Sequence, residues 1–305
     1  MVDSFADSGH RSKQLRDLNP SHRADHRYHL NKREQELLRR SLCTPHTRVK
    51  ILDTITTWAR DASSSQAKLY WLSGSAGSGK STIAYTIARE SEAASNDGDS
   101  PIVFGAGFFC SRLFGDTREE GYIVRTIAYT LARTCKGFAD ALLTVADFES
   151  VHRGPESQIR GLLVKPWKHY RSTLCDTSHP AATYLVIIDA LDEVEGGGGT
   201  SFLGHLLNHI NDDELALDGI KFLVTSRPDP GLVAQIKLFP RKQLFRLEDV
   251  GIEEQASDVA TYLDANLPGL RGRNLLEITG HLFISAATFV KYLVPLSPRD
   301  RKSVV

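Results

Sequence analysis

The chain has 305 residues, 41% of them hydrophobic, enough to bury a large core and to carry more than one domain. Its formal net charge is zero, which removes any whole-chain attraction to nucleic acid or to an anionic membrane. Cys43, Cys110, Cys135 and Cys175 are far apart and form no CxxC pair, so neither a disulfide framework nor a zinc site is suggested and a reducing compartment is expected.

The charge is uneven along the chain. Residues 1–50 hold eleven Lys and Arg against six Asp and Glu, with five of the eleven histidines. Residues 1–42 are read as a polar, basic arm, solvated and partly disordered, with one helical pattern in NKREQELLRRSL (31–42). Its first residues lack the apolar core of a signal peptide. From Thr47 the pattern TRVKILDTITTWARD predicts a helix with Val49, Leu52, Ile55 and Trp58 on one face, and DASSSQ after it predicts a loop.

Short apolar runs then alternate with helical patterns. The strands are expected at 69–74, 101–110, 183–190, 220–227 and, more weakly, 243–250. Helices between them are read from Ile83, Ile87 and Ala88, from Ile123, Ile127 and Leu131, and from Phe202, Leu206 and Ile210. The stretch 152–171 places Ile159, Leu162 and Leu163 as a core-facing helix, and EGGGGT (195–200) reads as flexible linker. This alternation predicts an α/β fold, a parallel five-stranded sheet with helices on both faces. Beyond Asp249 only helices are expected, with Ile252, Ala256, Val259 and Leu263 on one face and Leu282, Ala286, Phe289 and Leu293 on another. The division is therefore an arm (1–42), an α/β domain (43–250) and a small helical domain (251–305). The most membrane-like stretch, HLFISAATFVKYLV, is too short to span a bilayer and carries Lys291.

The segment GSAGSGKS matches GxxxxGK[ST] at Gly74, Gly79, Lys80 and Ser81, after an expected strand and ahead of an expected helix. That context is what phosphate binding demands. Glycines let Gly74, Ser75, Ala76, Gly77, Ser78 and Gly79 wrap so that successive N–H groups point at phosphate oxygens, and the helix opening at Lys80, Ser81 and Thr82 adds its positive end. Lys80 is expected on the β- and γ-phosphates and the Ser81 hydroxyl on Mg²⁺.

The run YLVIIDALDE supplies the acids. Asp189 is positioned to hold magnesium through its water shell, and Asp192 and Glu193 to orient or deprotonate a water. Three carboxylates at one strand end repel one another, so their clustering itself points to a cation. A further strand ends in Thr225, Ser226 and Arg227. The Arg227 guanidinium is read either as a γ-phosphate sensor or as a structural ion pair. A strand between the Lys80 and Asp189 elements is the connectivity of the additional-strand branch of P-loop proteins. The absence of NKxD and LSGGQ motifs argues against GTPases and ABC transporters.

In this order, GSAGSGKS, VIIDALDE and FLVTSRP resemble the NACHT class of STAND NTPases, with the likeness closest to fungal NLR-like proteins carrying the nephrocystin-type P-loop domain. CTPHTRVKILDTITTWARD, FFCSR and GHLFISAATFVKYL support it, and the resemblance covers roughly residues 43–295. It implies a cytoplasmic signalling switch that holds ADP when closed, exchanges it for ATP, self-associates and hydrolyses slowly. By position it gives Lys80 and Ser81 the phosphate and magnesium roles, Asp189 the magnesium, Asp192 and Glu193 the water, Arg227 the sensor, and 47–52 a place near the adenine. Plant-type relatives read Gly-Leu-Pro where this chain reads Gly280-His281-Leu282-Phe283. The family continues into a winged helix and sensor repeats, before which this chain is expected to stop, so co-assembly with full-length relatives is the implied partnership. The alternatives are a nucleotide-binding scaffold without turnover and, with 152–171 as its lid, a small-molecule phosphotransferase. No specific nucleic acid and no membrane span are expected.

Overall fold

A computed structural model describes residues 13–27, 40–61, 67–96, 101–174, 182–213, 215–271 and 274–294. The apolar runs form five strands, β1 (Leu69–Ser73), β2 (Ile102–Phe109), β3 (Thr183–Asp189), β4 (Ile220–Ser226) and β5 (Lys242–Arg246). They pair in parallel in the order β2-β3-β4-β1-β5. Thus β4 separates the strand leading to Lys80 from the strand ending in Asp189, as the additional-strand connectivity requires. Strands β1, β3 and β4 are buried nearly throughout, which is why they read as continuous apolar runs.

Both faces of the sheet are covered. On one, Tyr70, Leu72, Leu185, Ile187 and Leu223 meet α1 (Val49–Arg60) and α2 (Lys80–Asn96) through Ile51, Ile55, Trp58, Ile83 and Ile87. On the other, Trp71, Val186, Ile188, Phe222 and Val224 meet α3 (Ile123–Thr134), α4 (Lys136–Val145), α5 (Lys165–Thr173), α6 (Gly198–Asp212) and α7 (Pro230–Leu238). The expected core residues Ile127, Leu131, Ile159, Leu162, Leu163, Phe202, Leu206 and Ile210 all lie in this second core. Strand β2 serves both faces. A register shift between Phe104 and Ala106 puts Phe104 in the first core and Ala106 and Phe108 in the second.

Among the described residues three α-helices follow, α8 (Ile252–Asn266), α9 (Leu275–Thr279) and α10 (Phe283–Leu293), packed around their own cluster of Val259, Leu263, Leu275, Ala286, Val290 and Leu293. Among these residues no helix is long and apolar enough to cross a membrane.

Several expectations are corrected. The glycine run is not a linker: Glu195–Gly197 form a 3₁₀ turn and α6 starts at Gly198, with Gly198 and Gly199 buried. A Cβ on Gly199 would lie 2.3 Å from the Leu191 carbonyl oxygen, so glycine is needed there for close approach. In α1 the buried face is Ile51, Ile55, Trp58 and Ala59, and Val49 at its first turn is exposed. Ile252 and Leu282, at or before the first turns of α8 and α10, are exposed for the same reason, since a helix start faces fewer neighbours. The last strand ends at Arg246 and passes into a 3₁₀ turn over Leu247–Asp249.

The arm is not wholly solvated. Leu18, Ser21, Ala24 and His26 are buried, and the Phe109 amide donates to the Ala24 carbonyl at the end of edge strand β2 (2.9 Å). The His26 ring is 4.5 Å from that of Phe104 and its Nε2 is 3.1 Å from a Glu92 carboxylate oxygen. The helical pattern of 31–42 falls mostly outside the described residues.

Candidate functional site

The carboxyl ends of β1, β3 and β4 meet at one place. Ser73 pairs with Ser226, and the Gly74 amide donates to the Ser226 carbonyl (3.3 Å). The chain then turns through Ser75–Gly79, with Gly77 at φ 73° and Gly79 at φ 94°, conformations that favour glycine, and enters α2 at Lys80. The Lys80 ammonium folds back over this loop, donating to the carbonyls of Gly74 (2.7 Å) and Ser75 (2.8 Å). Burial lowers its pKa, against the pull of Asp192 and Asp189.

Asp189 is buried at the end of β3. The Thr225 hydroxyl donates to its Oδ1 (2.6 Å) while accepting from the Ala190 amide (2.9 Å), so one hydroxyl fixes both the carboxylate and the turn after it. Ala190 holds that turn at φ 54°, a left-handed conformation that costs a non-glycine residue about 1 kcal/mol. Burial lifts the Asp189 carboxyl above its ordinary range, opposed by Thr225, by Ser81 as a second hydrogen-bonding partner, and by Arg40 and Lys80. The two expected magnesium ligands, Ser81 and Asp189, are thus neighbours. Their hard oxygens, with Lys80 and the loop amides alongside, fit a cation completed by water and phosphate.

The other two acids are engaged elsewhere. Asp192 accepts from the Arg227 amide (2.9 Å) and from its Nε (2.8 Å), and Glu193 lies 3.7 Å from the same guanidinium. A second Glu193 oxygen accepts from the Arg112 amide (3.2 Å). Burial raises the Glu193 pKa. The structural ion pair, weighed above against phosphate sensing, is therefore present. Arg227 supplies positive charge to Asp192 and Glu193, so the closeness of these two acids does not by itself call for a metal. Among the described residues, no group of three or more His, Cys, Asp or Glu is arranged to hold a metal ion.

Beside the loop lies a cavity of about 320 Å³, at the small end of the range for ligand pockets. Its floor is Gly77, Gly79, Lys80, Ser81 and Thr82; one wall is Ser41–Thr44, Thr47 and Arg48; the other is Tyr262, Phe283, Ile284 and Ala287 from α8 and α10. A Cβ on Gly77 would fall 2.5 Å from the Ile284 Cβ, so the C-terminal helices press directly on the loop.

A family model described as nephrocystin 3, N-terminal, matches residues 46–227. The chain belongs to that family. No curated protein gives a significant match. The nephrocystin 3 N-terminal match opens at His46 and closes on Arg227, so it takes in Arg48, the loop, Asp189, Asp192, Glu193 and Thr225. Sequence reasoning about this family's site missed the parts played by Thr225, Arg48 and the Arg112 amide. The signal for Thr225 was its place at the end of a buried strand, where a hydroxyl must find a partner. For Arg48 it was a guanidinium beside an apolar helix face; for a backbone amide there was none.

Proposed function

We propose that this protein binds ATP and ADP with Mg²⁺ and uses them as a switch, with slow hydrolysis and nucleotide-controlled association with copies of itself or with relatives. The observation that carries the reading is the Lys80 ammonium, held on two loop carbonyls between left-handed glycines, a helix start and the cavity. Lys80 and the loop amides would take the phosphates, Ser81 and Asp189 the magnesium, and the wall from Ser41 to Arg48 with Tyr262 and Phe283 the base and sugar. The bound cation would neutralise phosphate charge.

The test is the nucleotide content of the purified protein, released by denaturation and identified by chromatography, with Lys80→Ala alongside. Stoichiometric ADP that the variant lacks is expected. A protein that is empty and takes up no added Mg-ATP or Mg-ADP would sink the reading.

A scaffold that binds without turnover is the second reading, favoured by the engagement of Asp192 and Glu193 with Arg227 and the Arg112 amide. Under the switch reading Glu193→Gln lowers the single-turnover rate of ATP cleavage; under the scaffold reading wild type and variant are equally inert. The phosphotransferase reading loses its lid, because Ile159, Leu162 and Leu163 are core residues.

A further inference from the structure

Arg48 lies outside the phosphate-binding motif, yet it joins three parts of the molecule. It caps the start of α1 in a left-handed conformation (φ 58°, ψ 21°) and is buried. Its Nη2 donates to the Ser78 carbonyl of the loop (2.9 Å). Its amide donates to Asp258 Oδ1 (3.2 Å), and its Nε lies 3.7 Å from Asp258 Oδ2, on α8. Its guanidinium carbon stands 4.7 Å from the centre of the Phe283 ring, on α10. The kink at the helix start is what lets backbone and side chain address one carboxylate.

We propose that Arg48 is a positioning residue that couples the phosphate loop to the C-terminal helices through Asp258 and Phe283. The Ser78 carbonyl and the Gly79 amide belong to one planar trans peptide and point opposite ways. A guanidinium that fixes the carbonyl therefore fixes the direction of the next N–H. On its other side the same guanidinium is set by a carboxylate and a ring that move with α8 and α10. Burial makes the arrangement demanding: it raises the Asp258 pKa, which Arg48 opposes, and disfavours the Arg48 charge, which Asp258 supports. Occupancy of the loop and packing of the helices then influence one another reciprocally. The nature of the ligand rests on the nucleotide-binding reading; the mechanical link does not.

A nearby pair provides the control. Lys50 and Glu254 join α1 and α8 at 2.6 Å, Lys50 exposed and Glu254 half-buried, and neither lines the cavity. The test uses the full chain with Arg48→Lys, Asp258→Asn, both together, and Lys50→Ala. Asp258→Asn is isosteric, so it serves if Arg48→Lys fails to fold. In the wild type, Mg-ADP is expected to slow amide exchange across 252–266 and 283–293. Asp258→Asn should abolish that effect and speed release of a fluorescent ADP analogue by about tenfold, within the usual range of such couplings. The double variant should be no worse than the more severe single one. Unchanged release and exchange in both single variants would overturn the proposal, as would an equal effect from Lys50→Ala. If the wild type binds no nucleotide, exchange of the loop amides 75–80 in the ligand-free protein decides. Faster exchange in Asp258→Asn upholds the link although the nucleotide reading has failed; unchanged exchange sinks the link too.

Discussion

Replacing Thr225 by valine keeps the volume of a fully buried side chain and removes one hydroxyl. That hydroxyl makes two hydrogen bonds, a charge-assisted one to Asp189 and an ordinary one from the Ala190 amide. Losing the first is worth about 1.5–3 kcal/mol and the second about 1, so the variant should be less stable by about 3 kcal/mol near neutral pH. For a chain of 305 residues that is a fall of roughly 5 °C in melting temperature. The loss should also depend on pH. Burial already raises the Asp189 pKa above its unfolded value, so the folded state binds the extra proton and this group's contribution declines as pH rises through that window. Removing Thr225, which lowers that pKa, widens the window upward. The destabilisation is therefore largest above it and shrinks as acid protonates the carboxyl. Melting curves of both proteins across a pH series from neutral into acid test this. A difference under about 1 kcal/mol at neutral pH, or one that grows as the pH falls, would refute the assignment of Thr225 as the support of a charged Asp189.

Three further substitutions separate the parts of the fold. Gly199→Ala should cost about 2–3 kcal/mol, read by urea unfolding, because its Cβ has nowhere to go beside the Leu191 carbonyl; a flexible linker would accept it without loss. Leu18→Ala should cost about 2–4 kcal/mol in the same assay, since Leu18 belongs to the larger core, whereas a solvated arm would be indifferent. Arg227→Ala should cost only about 1–2 kcal/mol: the Arg227 side chain is 43% exposed, and Asp192, 8% exposed, loses the guanidinium but keeps the Arg227 amide. A normal Glu193-dependent ATP cleavage rate in Arg227→Ala would show that this arginine acts on structure alone.

The sheet was legible because parallel strands covered on both faces must be apolar at every position, a pattern that Leu185–Ile188 and Phe222–Val224 show without interruption. The glycine loop before Lys80 was legible because Gly77 and Gly79 answer a backbone demand few residues meet. What escaped depends on distant partners. Composition makes 195–199 a linker, and only the Leu191 carbonyl above it turns Gly199 into a packing residue. The arm reads as polar because its anchors, Leu18, Ser21, Ala24 and His26, are few and include small and polar types that bury through specific hydrogen bonds. The same applies to Asp192 and Glu193: their sequence position fits water activation, but the arginine that claims them is supplied by the next strand over.

The two margins of the sheet bear on how copies of this chain can meet. At one margin, β5 presents Lys242 and Arg246, charges that oppose the docking of a foreign strand. At the other, the end of β2 has already spent its Phe109 amide on the carbonyl of Ala24. With charges on one border and the arm against the end of the other, both edges are partly guarded against pairing with a foreign strand. The arm then does a second job, since peeling residues 18–26 away would uncover that end of β2 and offer it to a foreign strand.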